Sequence, residues 1–403
     1  MRKMKFKYTS LIIYVLFGNA FGVIAEVGVK HTDLKLELVQ VLFRHGARTP
    51  DKAEFKYINY AGLNAYNPYG LGELTNLGKK QLFKVGQMLR QRYSDFLSED
   101  FNTSDVYAYS SEDDRTKMSL QVVLAGLYPP SSEFVWNKKL NWIPLPARYT
   151  PKELDILLKP TFSSSRFISI NNEFKRSAEF QSKISEHLDF INFLKDKLGV
   201  DESLDEVNFI AFTFNTLYSN EHLNIPLPKW YTDEVKKALF DLINYIHRSM
   251  SATTEMKRIN GGPLIRTLLE NMNVNSTVVN PRKIYLYSGH DLNLAAVSVA
   301  LGFSDAFDHP DYANGLIMEK WSDSENQLYV RWLAWTTAGG EPKALKLKDC
   351  EEFCPIDSYI NILKKSEVIP SDEEMNLLYN DFVKRRKKSI QDLFFGDSAV
   401  TSK

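Results

Sequence analysis

Cysteine is almost absent from this chain: Cys350 and Cys354 are the only two in 403 residues. At most one disulfide can form, and a structural zinc site is poorly supported, since it would take four ligands and no histidine lies near the pair. Net charge is absent too, with 50 basic side chains against 50 acidic. Without a global basic field, nucleic acid is not an expected partner. Beyond residue 25 there is no long apolar run, no internal repeat and no low-complexity segment. His31, His187, His222, His247 and His309 are scattered without a metal-ligand spacing, so packing or surface roles are expected for them. What remains is ordinary globular composition, 44% apolar and 25% charged, enough for one large or two medium domains.

The N-terminus has the pattern of a leader. Arg2, Lys3, Lys5 and Lys7 precede an apolar run, Leu11 to Ala25, which ends with Val23 and Ala25 at the two positions a signal peptidase reads. The run falls short of the roughly 20 apolar residues that span a bilayer. Residues 1–25 are therefore expected to be a cleaved secretory signal, an N-terminal anchor being the other reading. The expected mature protein is secreted and free of the membrane. In that setting Cys350 and Cys354 suit a disulfide closing a small loop, with two free thiols as the alternative. Asn102 and Asn275 head glycosylation tripeptides.

Periodicity predicts an α/β fold, a mainly parallel central sheet flanked by helices. Leu34 to Phe43 is the first strand, Asp51 to Leu71 a loop, and a helix follows from Thr75 with Leu82, Val85 and Leu89 on one face. Val106 to Tyr109 is a strand and Thr116 to Leu127 a helix. After Trp142 to Pro146 the pattern shifts to helices, the clearest being Phe174 to Leu198 and Thr232 to Met250. The α/β pattern resumes with a helix Pro263 to Met272, a strand Lys283 to Tyr287, a helix Asp291 to Leu301, and strands Leu316 to Lys320 and Gln327 to Leu333. Ser371 caps a charged terminal helix to Lys388, whose basic end, 384–388, suits solvent. The division expected is a core of 26–145 with 256–365, a mainly helical cap inserted at 146–255, and a C-terminal helix and tail at 366–403.

Three stretches carry chemistry. The first strand stops abruptly at Arg44-His45-Gly46-Ala47-Arg48-Thr49-Pro50. Two guanidiniums so close repel each other and need an anion between them, and each presents a planar fork that suits phosphate oxygens. Gly46 permits a tight turn, so this is a plausible phosphate cup with a nucleophilic histidine at its floor. The second stretch, Tyr107 to Ser119, sets Arg115 between a strand end and a helix start, where free backbone N–H groups favour an anion; a salt bridge to Asp113 or Asp114 competes with that reading. The third, Tyr287-Ser288-Gly289-His290-Asp291, again lies between a strand and a helix, and alone could be no more than a helix cap.

The three stretches together, in this order, resemble the signature blocks of the histidine acid phosphatases of the prostatic, lysosomal and insect venom type, over about Leu34 to Pro355. The resemblance implies the histidine phosphatase, or phosphoglycerate mutase-like, fold. It implies His45 as the nucleophile that becomes a phosphohistidine, Arg44, Arg48, Arg115 and His290 as phosphate-binding groups, and Asp291 as proton donor. No metal and no cofactor is required. Lys348 to Pro355 resembles the family's C-terminal cysteine pair. The implied function is a secreted acid phosphatase acting on a small-molecule or protein phosphomonoester, with the lysosome as second location. A non-catalytic binding protein or a phosphoryl-transferring mutase would use the same cup. Prostatic-type relatives are dimers, which leaves a homodimer open. Two departures stand out: Ala47 where relatives have an acid, which is expected to leave the cup more positive, and Tyr109 where they have arginine.

Overall fold

The computed structural model of the chain describes residues 34–380, apart from 201–203, 274–281, 304–306 and 308. The expected leader at 1–25, Asn275 and the basic run at 384–388 lie outside the described residues.

Strand β1, Lys35–Arg44, is the spine. Successive side chains of a strand point to opposite faces, and here both faces are buried. Val39, Val41 and Phe43 pack with Leu82, Val85, Leu120 and Val123 from the helices Asn76–Arg92 and Asp114–Leu127. Leu38 and Leu42 pack with Leu264, Ile265, Leu294 and Val297 from the helices Gly262–Asn271 and Asp291–Leu301. Two-sided burial explains why β1 is a continuous apolar run.

The other strands are β2, Val106–Ser110; β3, Arg148–Tyr149; β4, Ile284–Gly289; β5, Gly315–Ser322; β6, Leu328–Trp335; β7, Lys343–Leu345; and β8, Cys354–Pro355. They form one sheet in the order β3-β2-β4-β1-β5-β6-β7, with β8 beside β6. The β3-β2-β4-β1 half is parallel. From β1 outward through β5, β6 and β7 the pairing is antiparallel. Cys350 and Cys354 form the disulfide.

The segment between β3 and β4 is helical, and two expectations are corrected there. The single helix expected over 174–198 is three, Ser165–Lys175, Ala178–Ser185 and Leu188–Leu198. Ser177 ends the first by capping the second, its hydroxyl accepting the Phe180 N–H at 3.3 Å. The helix Glu206–His222 was not anticipated; Phe209, Thr213, Phe214, Thr216 and Leu217 are buried almost all round it, so it has no apolar stripe to read. By contrast Asp233–Ser249 presents a one-sided stripe, Leu239, Leu242, Ile243 and Ile246. The expected loop at 51–71 contains the helix Lys52–Tyr57. At the far end Ser371 caps a helix as expected, exchanging bonds with Glu374; its described part is 372–380.

Candidate active site

The three chemical stretches follow β1, β2 and β4, which are neighbours in the parallel half of the sheet. Their ends are level: Arg44 pairs with Gly289 and Ser110 with Ser288. The ladder continues one residue further, with His45 N–H donating to Gly289 O at 3.0 Å and Ser111 N–H to Ser288 O at 3.1 Å. Side chains remote in sequence thus meet outside the carboxyl ends of parallel strands, where α/β sheets commonly bind ligands. Gly46 is required by close approach: a Cβ there would lie 2.5 Å from Gly78 O.

His45 is buried, and its Nδ1 lies 2.9 Å from Gly46 O. A carbonyl only accepts, so Nδ1 carries the proton and Nε2 keeps its lone pair. Burial, then Arg115, Arg44, His290 and Arg48, hold this imidazole well below the ordinary histidine range. The neutral imidazole is thereby favoured in solution acid enough to protonate a free histidine.

Three arginines surround it. Arg44 Nη2 pairs with Asp291 Oδ2 at 2.7 Å, its Nη1 donates to Pro310 O at 2.6 Å, and the guanidinium stacks 4.3 Å over the Tyr312 ring. Arg48 grips Glu54 with both terminal nitrogens, at 2.7 and 2.8 Å. Arg115 pairs with Asp51 at 3.2 Å, not with Asp113 or Asp114. The Nε–H groups of Arg44, Arg48 and Arg115 are all buried without a hydrogen-bond partner. Orphaned buried donors are rare in folded proteins, and an anion beside His45 is the kind of partner that three such donors lack.

His290 faces His45, ring centroids 5.4 Å apart. Its Nε2 lies 2.9 Å from Ser111 Oγ and 3.1 Å from Asp113 Oδ2. Burial, with Lys159 and Arg115, pushes it down to about 3 despite Asp113. Burial pushes Asp291 up, but Arg44, His247, His309 and His45 outweigh that and hold it well below the usual carboxylate range. Without a ligand, then, Asp291 is the anion paired to Arg44.

His45, Arg48, Arg115, His290 and Asp291 line a cavity of about 350 Å³ whose outer wall includes Phe162, Phe212, Ile246 and Met250 from the helical segment. A second cavity, between Ser165, Ile259 and Leu378, is bordered by the ion pairs Arg166–Glu255 and Arg258–Glu374. Its charges are matched, so it lacks the unpaired donors of the first.

Six residues of the site escaped the sequence reading. Asp51 and Glu54 sit on the segment taken for a loop, Asp113 was taken only as a rival partner for Arg115, and Lys159 drew no notice. His247 and His309, expected to be inert, stack with centroids 5.3 Å apart beside the Arg44–Asp291 pair. Alternating pattern and spacing carry no signal for them; only the Asp51-x-x-Glu54 capping box was legible. Ala47 is fully buried and packs with the apolar core of the helical segment, while Asp51, Glu54 and Asp113 balance the cup. Tyr109 is buried among Tyr107 and Tyr287.

The fold and the level strand ends define a histidine phosphatase architecture, and comparison with known proteins agrees. A family model, the histidine phosphatase superfamily (branch 2), matches residues 35–334. The chain is 33% identical over 347 residues to a venom acid phosphatase of Apis mellifera, covering 85% of this chain and 87% of that one. It is 30% identical over 371 residues to the prostatic acid phosphatase of Bos taurus, covering 91% and 93%. The phytase of Citrobacter braakii shares the fold, with a TM-score of 0.65 at 20% identity over 84% of this chain and all of that one. The chain belongs to branch 2 of the histidine phosphatase superfamily.

Proposed function

We propose that this chain is an acid phosphatase that hydrolyses phosphate monoesters through a phosphohistidine on His45. The three orphaned arginine donors around an imidazole with a free Nε2 lone pair carry the reading. The venom and prostatic relatives, named acid phosphatases, support it.

The steps follow from the charges. An incoming phosphoryl group takes up the Nε–H donors of Arg44, Arg48 and Arg115 and a contact to His290, and its equatorial charge is spread over them. Arg44 then has a second anion beside it, which weakens its hold on Asp291 and lets that carboxyl take a proton. His45 Nε2 attacks phosphorus as the ester P–O bond breaks, and Asp291 protonates the departing oxygen. In the second half Asp291 takes a proton from water, the water oxygen bonds phosphorus, and the P–N bond breaks. The need for a protonated Asp291 and a neutral His45 favours an acid optimum. The helical segment that follows β3 acts as a cap over the leaving group.

Secretion is the location proposed, with cleavage after residue 25 and a sugar at Asn102, whose side chain is exposed; N-terminal sequencing and deglycosylation test both. Hydrolysis of p-nitrophenyl phosphate at acid pH, with inhibition by tartrate and indifference to chelators, tests the activity. A mutase or an inert binding protein would leave p-nitrophenol unreleased. Size-exclusion chromatography with light scattering decides between a monomer and a homodimer.

A further inference from the structure

Lys159 and Asp113 have no part in the steps above, yet they form an ion pair at 2.5 Å beside the same cavity, which Lys159 lines. Lys159 comes from the helical insertion, just before the helix Pro160–Ser163, and only 10% of its side chain is exposed. Its backbone is fixed. Asp155 Oδ1 accepts the N–H groups of Leu157 and Leu158 at 3.2 and 2.9 Å, and Asp155 O accepts that of Lys159 at 3.0 Å. Asn293 ties this turn to the catalytic block: its Nδ2 donates to Leu158 O at 3.0 Å and its Oδ1 accepts the His290 N–H at 2.9 Å. Lys159 and His290 are therefore held in register with each other.

One atom lies between them. Asp113 Oδ2 is 2.5 Å from Lys159 Nζ and 3.1 Å from His290 Nε2. Asp113 also stands at the N-cap of the helix Asp114–Leu127 with extended backbone, and yet its side chain makes no capping bond. An aspartate at that position ordinarily accepts an N–H of the first turn. Its carboxylate is turned instead to Lys159 and His290, which line the cavity, and the capping position is one side-chain rotation distant. Glu54, the other acid deep in the cup, is instead clamped by Arg48 and by the Asp51 N–H.

Resting on the phosphatase reading, we propose that Asp113 Oδ2 holds the place of a phosphoryl oxygen, and that Lys159 is a further phosphate-binding residue which, with His290, receives that oxygen once Asp113 turns away to cap its helix. Asp113 is then a built-in competitor of substrate and product.

Inorganic phosphate is the probe, read both as a competitive inhibitor of p-nitrophenyl phosphate hydrolysis and as the rise in Tm it produces. Lys159→Met weakens phosphate by about tenfold, the loss of one charge-assisted contact, and Lys159→Arg restores most of it. Asp113→Ser, which keeps a capping hydroxyl but cannot reach the cavity, tightens phosphate by a similar factor. In the Lys159→Met background the same change tightens it by no more than about twofold, since one of the two donors is gone. Asp113→Asn replaces the serine variant if that chain does not fold. Phosphate binding that is weakened or unmoved by the Asp113 variants, or unmoved by Lys159→Met, overturns the proposal. If Arg115→Ala abolishes phosphate binding in that same case, the phosphatase reading survives alone; if the wild type itself does not bind phosphate, both fall.

Discussion

Replacing Glu54 with alanine tests whether the cup is held by charge pairing. Arg48 and Glu54 are joined by two bonds, at 2.7 and 2.8 Å, and their side chains are 6% and 4% exposed. Removing one partner of a buried pair costs about 3–5 kcal/mol, because the other charge is left in a poor solvent. Arg48 keeps Thr49 O at 3.0 Å and Asp51 at 3.9 Å, so the low end, about 3 kcal/mol, is expected. A domain of this size has an unfolding entropy of roughly 0.7 kcal/mol/K, which turns the loss into a fall of about 4 °C in Tm. Phosphate supplies the missing counter-charge, so the deficit shrinks by at least half when calorimetry is repeated in saturating phosphate. An unchanged Tm, or a deficit that phosphate does not touch, would refute the reasoning.

His45→Ala abolishes turnover, by at least about 10³-fold in kcat, and leaves no acid-quenched phosphoenzyme to trap with labelled substrate. Asp291→Asn lowers kcat by about 10²–10⁴-fold for alkyl phosphates, and by much less for p-nitrophenyl phosphate, whose leaving group needs little protonation; equal losses on both esters would remove Asp291 as proton donor. Stability depends on pH with a definite sign. Buried His45, His247, His290 and His309 all have lowered pKa values, His290 down to about 3. Below the unfolded value near 6.5 the unfolded chain binds protons that the folded one refuses. The stability present above that pH is lost progressively toward pH 3. Asp51, Asp113 and Asp291, whose pKa values lie below the ordinary carboxylate range, add a loss of the same sign below about pH 4. Urea midpoints measured at pH 7 and pH 4.5 without phosphate should fall in that order.

Much of the α/β frame was legible, because its signals are local. A strand buried on both faces must be an apolar run, and β1 is one. A helix with a single buried face must show a stripe, and Asp233–Ser249 does. The helix Glu206–His222 escaped because burial all round erases periodicity, and the break at Ser177 escaped because a capping serine inside an apolar pattern resembles an ordinary helix residue. Arg44, His45 and Arg48 could be picked out because they crowd a strand end with a glycine among them, whereas Arg115, His290 and Asp291, each open to a local reading as a salt bridge or a helix cap, were picked out by the family resemblance.

The amino-acid order by itself thus pointed to the cluster of strand-end residues and to the frame that carries them. What only the tertiary structure decided is the state of those side chains: which carboxylate neutralises which arginine, which ring nitrogen is free, and that Lys159 reaches Asp113 from a segment more than forty residues away. The reason is physical. Secondary structure follows from interactions between near neighbours in the chain, whereas a buried charge takes its partner and its protonation from whatever the fold sets within a few ångströms.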